Sequence, residues 1–348
     1  SGKSTRFPNI KPKWLFTHPN GKLMIERAIE NLLPNKQIKK KIITITKEID
    51  QKYNAKFILN QIFKGKVKVL VLNKSTDSAS QTVFNTIINL KIKGQILVKD
   101  CDNFFKIDKQ FKIQKKNFVL YCDVKKNSEI QNIHQKSFLI TNDKNQLINI
   151  EEKKIVSDKI CVGLYSFKST NDFVKHYKNC NNNISLKETY VSYIVKSMIT
   201  DNHLFLASEA IDYEDYGTFA DWLRIRRDYR TFFVDIDGVI FLNKGKYGKK
   251  NWDTKDEVIK DNVNILTKLN SKTTEIIFTS SRPGTYKKKL TLELRKIGFS
   301  NFKLILGLNH GQRILINDFA ISNPNPSAAS LNIARNSSQL KNMIESLY

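Results

Sequence analysis

A chain of 348 residues is long enough for two ordinary domains that each bury a core of their own. Its apolar fraction of 40% is normal for a globular protein, and no apolar run approaches the roughly 20 residues that span a bilayer, so we expect no membrane partner. The net charge of +26 comes from lysines spread along the whole chain, which disfavours a nucleic-acid partner and favours attraction of small anions such as nucleotides and sugar phosphates.

Over the first two thirds of the chain, short strand-like runs alternate with helix-like runs. Strands are predicted at residues 42–45, 67–72, 95–98, 118–122, 138–141, 147–150, 160–167 and 204–208. Helices are predicted at residues 23–33, 53–63, 81–90 and 218–227. The alternation predicts an α/β domain in which helices flank a mostly parallel sheet.

The pattern restarts after a charged stretch at residues 224–230. Strands are predicted at residues 231–235, 275–279 and 313–316, and helices at residues 255–269 and 287–297. We therefore expect a second α/β domain with its own mostly parallel sheet, and place the domains at residues 1–227 and 228–348.

The N-terminal segment begins Ser-Gly-Lys-Ser-Thr-Arg, a run suited to phosphate binding. It imitates the end of a P-loop, but a P-loop continues directly into a helix, and prolines at positions 8 and 12 oppose one. The N–H groups of a loop can instead cradle a triphosphate, with Arg6 and Lys13 adding charge-assisted hydrogen bonds.

This segment resembles the Gly-x-Gly-Thr-Arg loop and the following lysine segment of sugar-phosphate nucleotidylyltransferases, with Ser4 in place of the second glycine. Three further features of that family follow in order: Asp-Cys-Asp-Asn at 100–103, Glu-Glu-Lys at 151–153 and Asp-Tyr-Gly-Thr at 215–218. Taken singly, they could be a solvated turn, an exposed charge run and a helix N-cap turn. The resemblance covers residues 1–227 and implies a Rossmann-like nucleotidyltransferase fold.

The resemblance also implies roles for individual residues. It places the loop residues Gly2, Ser4 and Thr5 on the triphosphate, with Arg6 on its β- and γ-phosphates and Lys13 on its α-phosphate. It also places Asp102 and Asp215 on Mg²⁺, Glu152 and Lys153 on the acceptor, and Ser78 near the nucleobase. The reaction is nucleotidyl transfer from a nucleoside triphosphate to a sugar or polyol phosphate, with release of pyrophosphate. The pattern of Arg6-Phe7, then Lys13, then the run at residues 25–30 looks most like choline-phosphate-type cytidylyltransferases, which favours CTP.

A second constellation lies in the last third of the chain, where an apolar strand ends in Asp235-Ile-Asp237-Gly. Chemically, Asp235 suits a nucleophile that attacks phosphorus, and Asp237 suits an acid that protonates the leaving oxygen and then activates water. A second apolar strand ends at Thr279 and Ser280, and a third leads to Asp318.

These three strand ends resemble motifs one, two and four of haloacid dehalogenase-like phosphatases over residues 228–335. The resemblance places Ser280 (or alternatively Thr279) on the phosphoryl oxygens. It implies Mg²⁺ held by Asp235, Asp237 and Asp318. The short stretch between motifs one and two leaves no room for a large cap domain. The lysine of motif three is not evident: Lys303 and Arg313 are the candidates, and Gln312 stands near the usual lysine position.

Together the two constellations predict a bifunctional enzyme for surface polysaccharide synthesis, a nucleotidyltransferase joined to a phosphatase. The alternative is a nucleotidyltransferase whose second domain is a non-catalytic binding or docking module. The four widely spaced cysteines indicate reduced thiols and a cytoplasmic location, and homo-oligomerisation stays open.

Overall fold

Two units of α/β structure follow one another in the computed structural model, Ser1–Trp222 and Leu223–Tyr348. The predicted domain border between residues 227 and 228 stays a prediction. The structure describes residues 11–107, 113, 115–127, 130, 132–182, 188–245, 252, 256–270, 273–318 and 328–347.

The first unit contains most of the regular structure. Its helices are α1 (Met24–Ile29), α2 (Lys47–Tyr53), α3 (Ala55–Phe63), α4 (Ala79–Leu90), α5 (Thr170–Asn181) and α6 (Val191–Thr200), and α7 (Phe219–Asp228) crosses the division between the units. Its strands are β1 (Ile42–Thr46), β2 (Lys68–Leu72), β3 (Ile96–Lys99), β4 (Asn103–Lys106), β5 (Asn117–Asp123), β6 (Ser137–Thr141), β7 (Leu147–Glu152), β8 (Lys159–Phe167), β9 (Phe205–Glu209) and β10 (Ile211–Asp215).

The central sheet of this unit is mixed, so the prediction of a mostly parallel sheet is wrong here. Its order is β7-β6-β8-β5-β9, with β3 also pairing with β8, and β5–β9 is its parallel pair. For β6 and β7 the reason is a short connection: residues 142–146 join them as a hairpin, whereas parallel strands need a longer crossover. The separate pair β1–β2 is parallel, and β4–β10 is antiparallel.

Each predicted strand of the first unit has an observed counterpart, because its apolar residues enter the core. Phe167, Phe173 and Phe205 are fully buried and pack edge to face. Strands β4 and β10 were not predicted, since β4 has four residues and β10 reads Ile-Asp-Tyr-Glu-Asp, which is too polar for the pattern.

The second unit has a parallel sheet of β11 (Thr231–Asp235), β12 (Glu275–Thr279) and β13 (Lys303–Ile305). Its helices are α8 (Lys260–Leu269), α9 (Lys287–Lys296) and α10 (Leu340–Glu345). The predicted strand at residues 313–316 is wrong: the segment is irregular, and Ile314 and Ile316 are 74% and 89% exposed. Its apolar sequence suggested a buried strand, but these side chains do not enter the core.

Among the described residues, no helix is long and apolar enough to cross a membrane.

Candidate functional site

Asp102 and Asp215, which are far apart in sequence, meet at the end of the β4–β10 pair. Antiparallel pairing sets Asp215 opposite Asn103, and the backbone N–H of Tyr216 donates to the carbonyl of Asp102 at 2.8 Å. A Cβ placed on Gly217 would lie 3.1 Å from Asp215 Oδ1 and 3.9 Å from Asp102 Oδ2. The two carboxylate oxygens are therefore at most about 7 Å apart, so both carboxylates belong to one cluster in the folded chain.

Two lysines neutralise these carboxylates. Lys13 Nζ lies 2.5 Å from Asp102 Oδ2, and Lys136 forms an ion pair with Asp215 Oδ2. The Asp215 side chain is 3% exposed, and the two lysine side chains are 16% and 17% exposed. Lys136 was not predicted, because nothing local distinguishes it in a lysine-rich sequence.

The surroundings shift the pKa values of these carboxyl groups in different directions. Burial raises the pKa of Asp102, but Lys13 outweighs burial and holds it well below the usual range. Burial raises the pKa of Asp215, and Lys136 offsets only part of that effect. Burial and the neighbouring Asp102 raise the pKa of Asp100 to about 6. The site thus combines ionised Asp102 with a carboxyl group, Asp100, that ionises near neutral pH.

A glycine on β8 permits the position of Asp100. The Asp100 N–H donates to the Gly163 carbonyl at 2.8 Å, and Gly163 has φ +70°. A Cβ at Gly163 would lie 2.7 Å from Asp100 Cγ, which real side chains do not tolerate. Both the backbone conformation and the contact therefore require glycine here.

The predicted acceptor residues lie at the end of β7, next to Lys136. The Lys153 N–H donates to the Lys136 carbonyl at 3.0 Å, and Lys153 Nζ donates to Tyr190 Oη at 2.5 Å. The Glu152 carboxylate accepts from Ser192 Oγ at 2.6 Å and also from the hydroxyl of Ser137. The structure thus brings the segment of Glu152 and Lys153 beside the paired carboxylates, and its role in acceptor binding stays a prediction.

The predicted nucleobase residue lies at the start of α4. Ser78 is buried and caps α4, where its Oγ accepts from Gln81 N at 3.1 Å. A nucleobase contact by Ser78 stays a prediction. Gly2, Ser4, Thr5 and Arg6 lie outside the described residues.

The donor set fits Mg²⁺ better than a softer metal. Within the described part of the chain, no group of three or more His, Cys, Asp or Glu residues could enclose a metal ion. Mg²⁺ does not need such a cage, since it is commonly held by one or two carboxylates together with water and substrate phosphates. Asp102 and Asp215 match that pattern.

In the second unit, Asp235 and Asp237 stand where β11 ends. Asp235 pairs in register with Thr279 of the neighbouring strand β12. Desolvation and the carboxylate of Asp237 raise the pKa of Asp235 to about 6. The polar strand ends expected from the sequence, Asp235 and Ser280, therefore lie on adjacent parallel strands.

Asp237 is held by a buried arginine that was not predicted. Arg282 is fully buried, and its Nη2 donates to Asp237 Oδ1 at 2.6 Å and to Asp256 Oδ1 at 2.8 Å. Ser280 Oγ also donates to Asp237 Oδ2 at 3.0 Å. Ser280 and Asp237 thus contact one another, and both are committed to a network inside the protein.

The other predicted residues of this unit are spread over the surface. Arg313 is exposed and donates to the carbonyls of Asn309 and Gly311 at 2.8 Å. Its positive charge offsets part of the increase in the pKa of Asp235. Lys303 pairs with Glu275 at 2.5 Å. The described residues include no three-carboxylate cluster, so Mg²⁺ binding by Asp235, Asp237 and Asp318 stays a prediction.

Several solved structures resemble about two thirds of this chain in fold. A nucleoside-diphosphate-sugar pyrophosphorylase from Vibrio cholerae matches with a TM-score of 0.56 at 15% identity, over 65% of this chain and 97% of its own. The inositol-1-phosphate CTP transferase from T. maritima matches with a TM-score of 0.51 at 10% identity, over 65% of this chain and 92% of its own. A UDP-glucose pyrophosphorylase complexed with UDP-glucose matches with a TM-score of 0.50 at 12% identity, over 65% of this chain and 94% of its own.

At these identities the likeness concerns the fold alone. No protein-family model and no curated protein sequence matches this chain. The N-terminal part therefore has a nucleotidyltransferase-like fold, and the carboxylates of Asp102 and Asp215 meet within it.

Proposed function

We propose that the first unit transfers a nucleotidyl group from a nucleoside triphosphate to a sugar or polyol phosphate and releases pyrophosphate. The observation that carries this proposal is the convergence of Asp102 and Asp215, each paired with a lysine, in a nucleotidyltransferase-like fold. Such a reaction needs two anions held in line and their charge neutralised, and this cluster offers both carboxylates for a metal ion and ammonium groups for phosphates.

The residues divide this work between them. Asp102 and Asp215 would hold Mg²⁺, which supplies charge stabilisation at the α-phosphate when it is bound. Lys13 would bind the α-phosphate, and Lys153 would bind the phosphate of the acceptor. An acceptor phosphate oxygen attacks the α-phosphorus, the new P–O bond forms, and the bond to pyrophosphate breaks.

Pyrophosphate release is the direct test of this activity. Four nucleoside triphosphates are each combined with a panel of sugar and polyol phosphates in the presence of Mg²⁺. We expect release with one nucleotide, CTP by our preference, and only when an acceptor is present. An Asp102→Asn, Asp215→Asn double variant serves as the inactive control, and no release with any wild-type combination would refute the proposal.

For the second unit we propose hydrolysis of a phosphate monoester. Asp235 would attack phosphorus to form an aspartyl-phosphate while the alcohol leaves, and water would then cleave that intermediate to inorganic phosphate. The support is the position of Asp235 at the end of a parallel strand, beside Ser280 on the next. One domain would then prepare a substrate for the other, in the cytoplasm, for surface polysaccharide synthesis.

A non-catalytic docking module is the second candidate for this unit. The hydrogen bonds of Asp237 favour it, because Arg282 and Ser280 occupy both oxygens of the carboxylate that should act as acid and base. A Mg²⁺-dependent assay with a generic phosphate ester separates the two candidates. Hydrolysis that Asp235→Asn abolishes supports the phosphatase, and its absence supports the docking module.

A further inference from the structure

Lys136 connects the two halves of the proposed transferase site. Its ammonium group pairs with Asp215, and its carbonyl accepts the backbone N–H of Lys153 at 3.0 Å. Its Nζ would lie 3.6 Å from a Cβ on Gly217, the point near which both Asp102 and Asp215 converge. Lys136 is therefore adjacent to the predicted metal ligands and to the predicted acceptor residues.

The pairing of Lys136 with Asp215 competes with metal binding. Asp215 Oδ1 accepts from the Gly217 N–H at 3.1 Å, and Oδ2 faces Lys136. A carboxylate that is 3% exposed needs a counter-ion, and Lys136 provides it here. A divalent cation that coordinates Asp215 Oδ2 would lie beside the ammonium group at the same buried oxygen, and repulsion between the two cations would displace Lys136.

A displaced lysine keeps its positive charge and needs a new anion. The four-carbon stem of lysine allows its ammonium group to swing while the backbone stays fixed in the sheet. Lys136 immediately precedes β6, and its neighbour Lys153 is predicted to bind the acceptor phosphate. A phosphate dianion at this place would compensate both lysines.

We propose that Lys136 is a phosphate-binding residue of the acceptor site, and that it is released from Asp215 when a divalent metal ion takes that carboxylate. The proposal rests on the proposed transferase function and deepens it. It makes phosphate binding dependent on the metal, so that the acceptor phosphate binds strongly only after the metal site is filled. Lys136 then acts as a switch between an internal ion pair and the substrate.

The test measures binding of Mn²⁺ and of inorganic phosphate without any nucleotide. Lys136→Met keeps the length of the side chain and removes its charge. We expect it to bind Mn²⁺ about tenfold more tightly than wild type, because the competing cation is gone. We expect its phosphate affinity to be about tenfold lower than that of wild type when Mn²⁺ is saturating.

A matched control is available in the β4–β10 pair, which also contains Asp215. Lys106 and Asp212 form an exposed ion pair at 2.6 Å, so Lys106→Met removes the same charge away from the site. We expect this variant to bind Mn²⁺ and phosphate as wild type does. Equal Mn²⁺ affinity in Lys136→Met, Lys106→Met and wild type would overturn the proposal.

A second variant tests the switch by changing Asp215 instead of Lys136. It keeps the proposal testable if Lys136→Met fails to fold. Asp215→Asn removes the charge that holds Lys136, so in the absence of Mn²⁺ this variant should bind phosphate more tightly than wild type does. Phosphate affinity that stays weak in Asp215→Asn would contradict the release of Lys136. Because these measurements involve no catalysis, they are distinct from failure of pyrophosphate release, which would refute the proposed transferase instead.

Discussion

Arg282 encloses the carboxylate of Asp237 from inside the second unit. Its Nε lies 3.1 Å from both oxygens of Asp237, and its Nη2 lies 2.6 Å from Oδ1. The same guanidinium donates to Asp256, whose side chain is 6% exposed. One fully buried arginine thus compensates two carboxylates that lie 19 positions apart in the sequence.

Replacing Arg282 should therefore destabilise the second unit strongly. Arg282→Met leaves Asp237 and Asp256 without their closest counter-ion, and we expect a loss of about 3–5 kcal/mol in the free energy of unfolding. Urea unfolding of the full chain, followed by fluorescence and circular dichroism, measures it. Arg295→Met on the exposed side of α9 is the control and should cost little. Similar losses for both variants would contradict the role of Arg282.

Substitution of two glycines should separate the energetic cost of backbone strain from the cost of a side-chain clash. Gly94 has φ +90° and open space around it, whereas Gly163 has φ +70° and faces Asp100. Gly94→Ala should cost about 1–2 kcal/mol from the left-handed conformation alone. Gly163→Ala should cost at least about 1 kcal/mol more, because Asp100 must also move. Denaturant unfolding compares the two, and equal costs would show that the Asp100 contact is unimportant.

The positions of β11, β12 and most strands of the first unit were predictable, since apolar runs define where strands pass through a core. The mixed order of the central sheet and strand β13 were not predicted. Strands β4 and β10 were missed, yet their ends carry Asp102 and Asp215, which sequence motifs did identify. The strand predicted at residues 313–316 was wrong because an apolar run does not ensure that a partner strand accepts it.

Lys136 and Arg282 could not be predicted from local sequence. Lys136 and Asp215 are 79 positions apart and adjoin strands of two different sheets, and lysine is too common in this chain to be a signal. Arg282 meets Asp237 and Asp256 through three different loops or strand ends. Long-range ion pairs of this kind depend on the register of the folded chain, which no local pattern encodes.

A buried histidine should make the first unit sensitive to acid. His176 on α5 is fully buried, its Nδ1 lies 2.9 Å from Ser197 Oγ, and Asp201 lies near its other nitrogen. Burial lowers the pKa of His176, and Asp201 offsets only part of that effect. The unfolded chain then binds the proton more readily, so the free energy of unfolding should fall as pH drops below about 6.5.

Thermal unfolding of wild type and His176→Gln between pH 5 and 8 measures this effect. The variant should lose less stability on acidification than wild type, whatever its stability at neutral pH. The stability of the variant should still depend on pH to some extent, because burial lowers the pKa of His18 as well. The exposed His134→Gln is the control. Parallel pH curves for wild type and His176→Gln would remove His176 as the cause.

The two proposed activities should be separable by single substitutions. Asp235→Asn keeps the shape of the side chain but removes the nucleophile, so it should abolish phosphate-ester hydrolysis and leave pyrophosphate release nearly intact. Lys13→Ala removes the partner of Asp102 and should do the reverse. Both assays are run on the same folded preparations. Loss of both activities from either substitution alone would contradict two independent sites.

The last prediction concerns Lys153, which is held by Tyr190. Lys153 Nζ donates to Tyr190 Oη at 2.5 Å and lies 4.4 Å from the centre of its ring. Lys153→Ala should raise the acceptor KM and lower turnover by about tenfold or more while nucleotide affinity changes little, because other groups hold the triphosphate. Tyr190→Phe keeps the ring and should show a smaller effect in the same direction. Lys154→Ala, next in the chain and exposed, is the control. An acceptor KM and turnover equal to wild type in Lys153→Ala would leave Lys153 as an ordinary surface lysine.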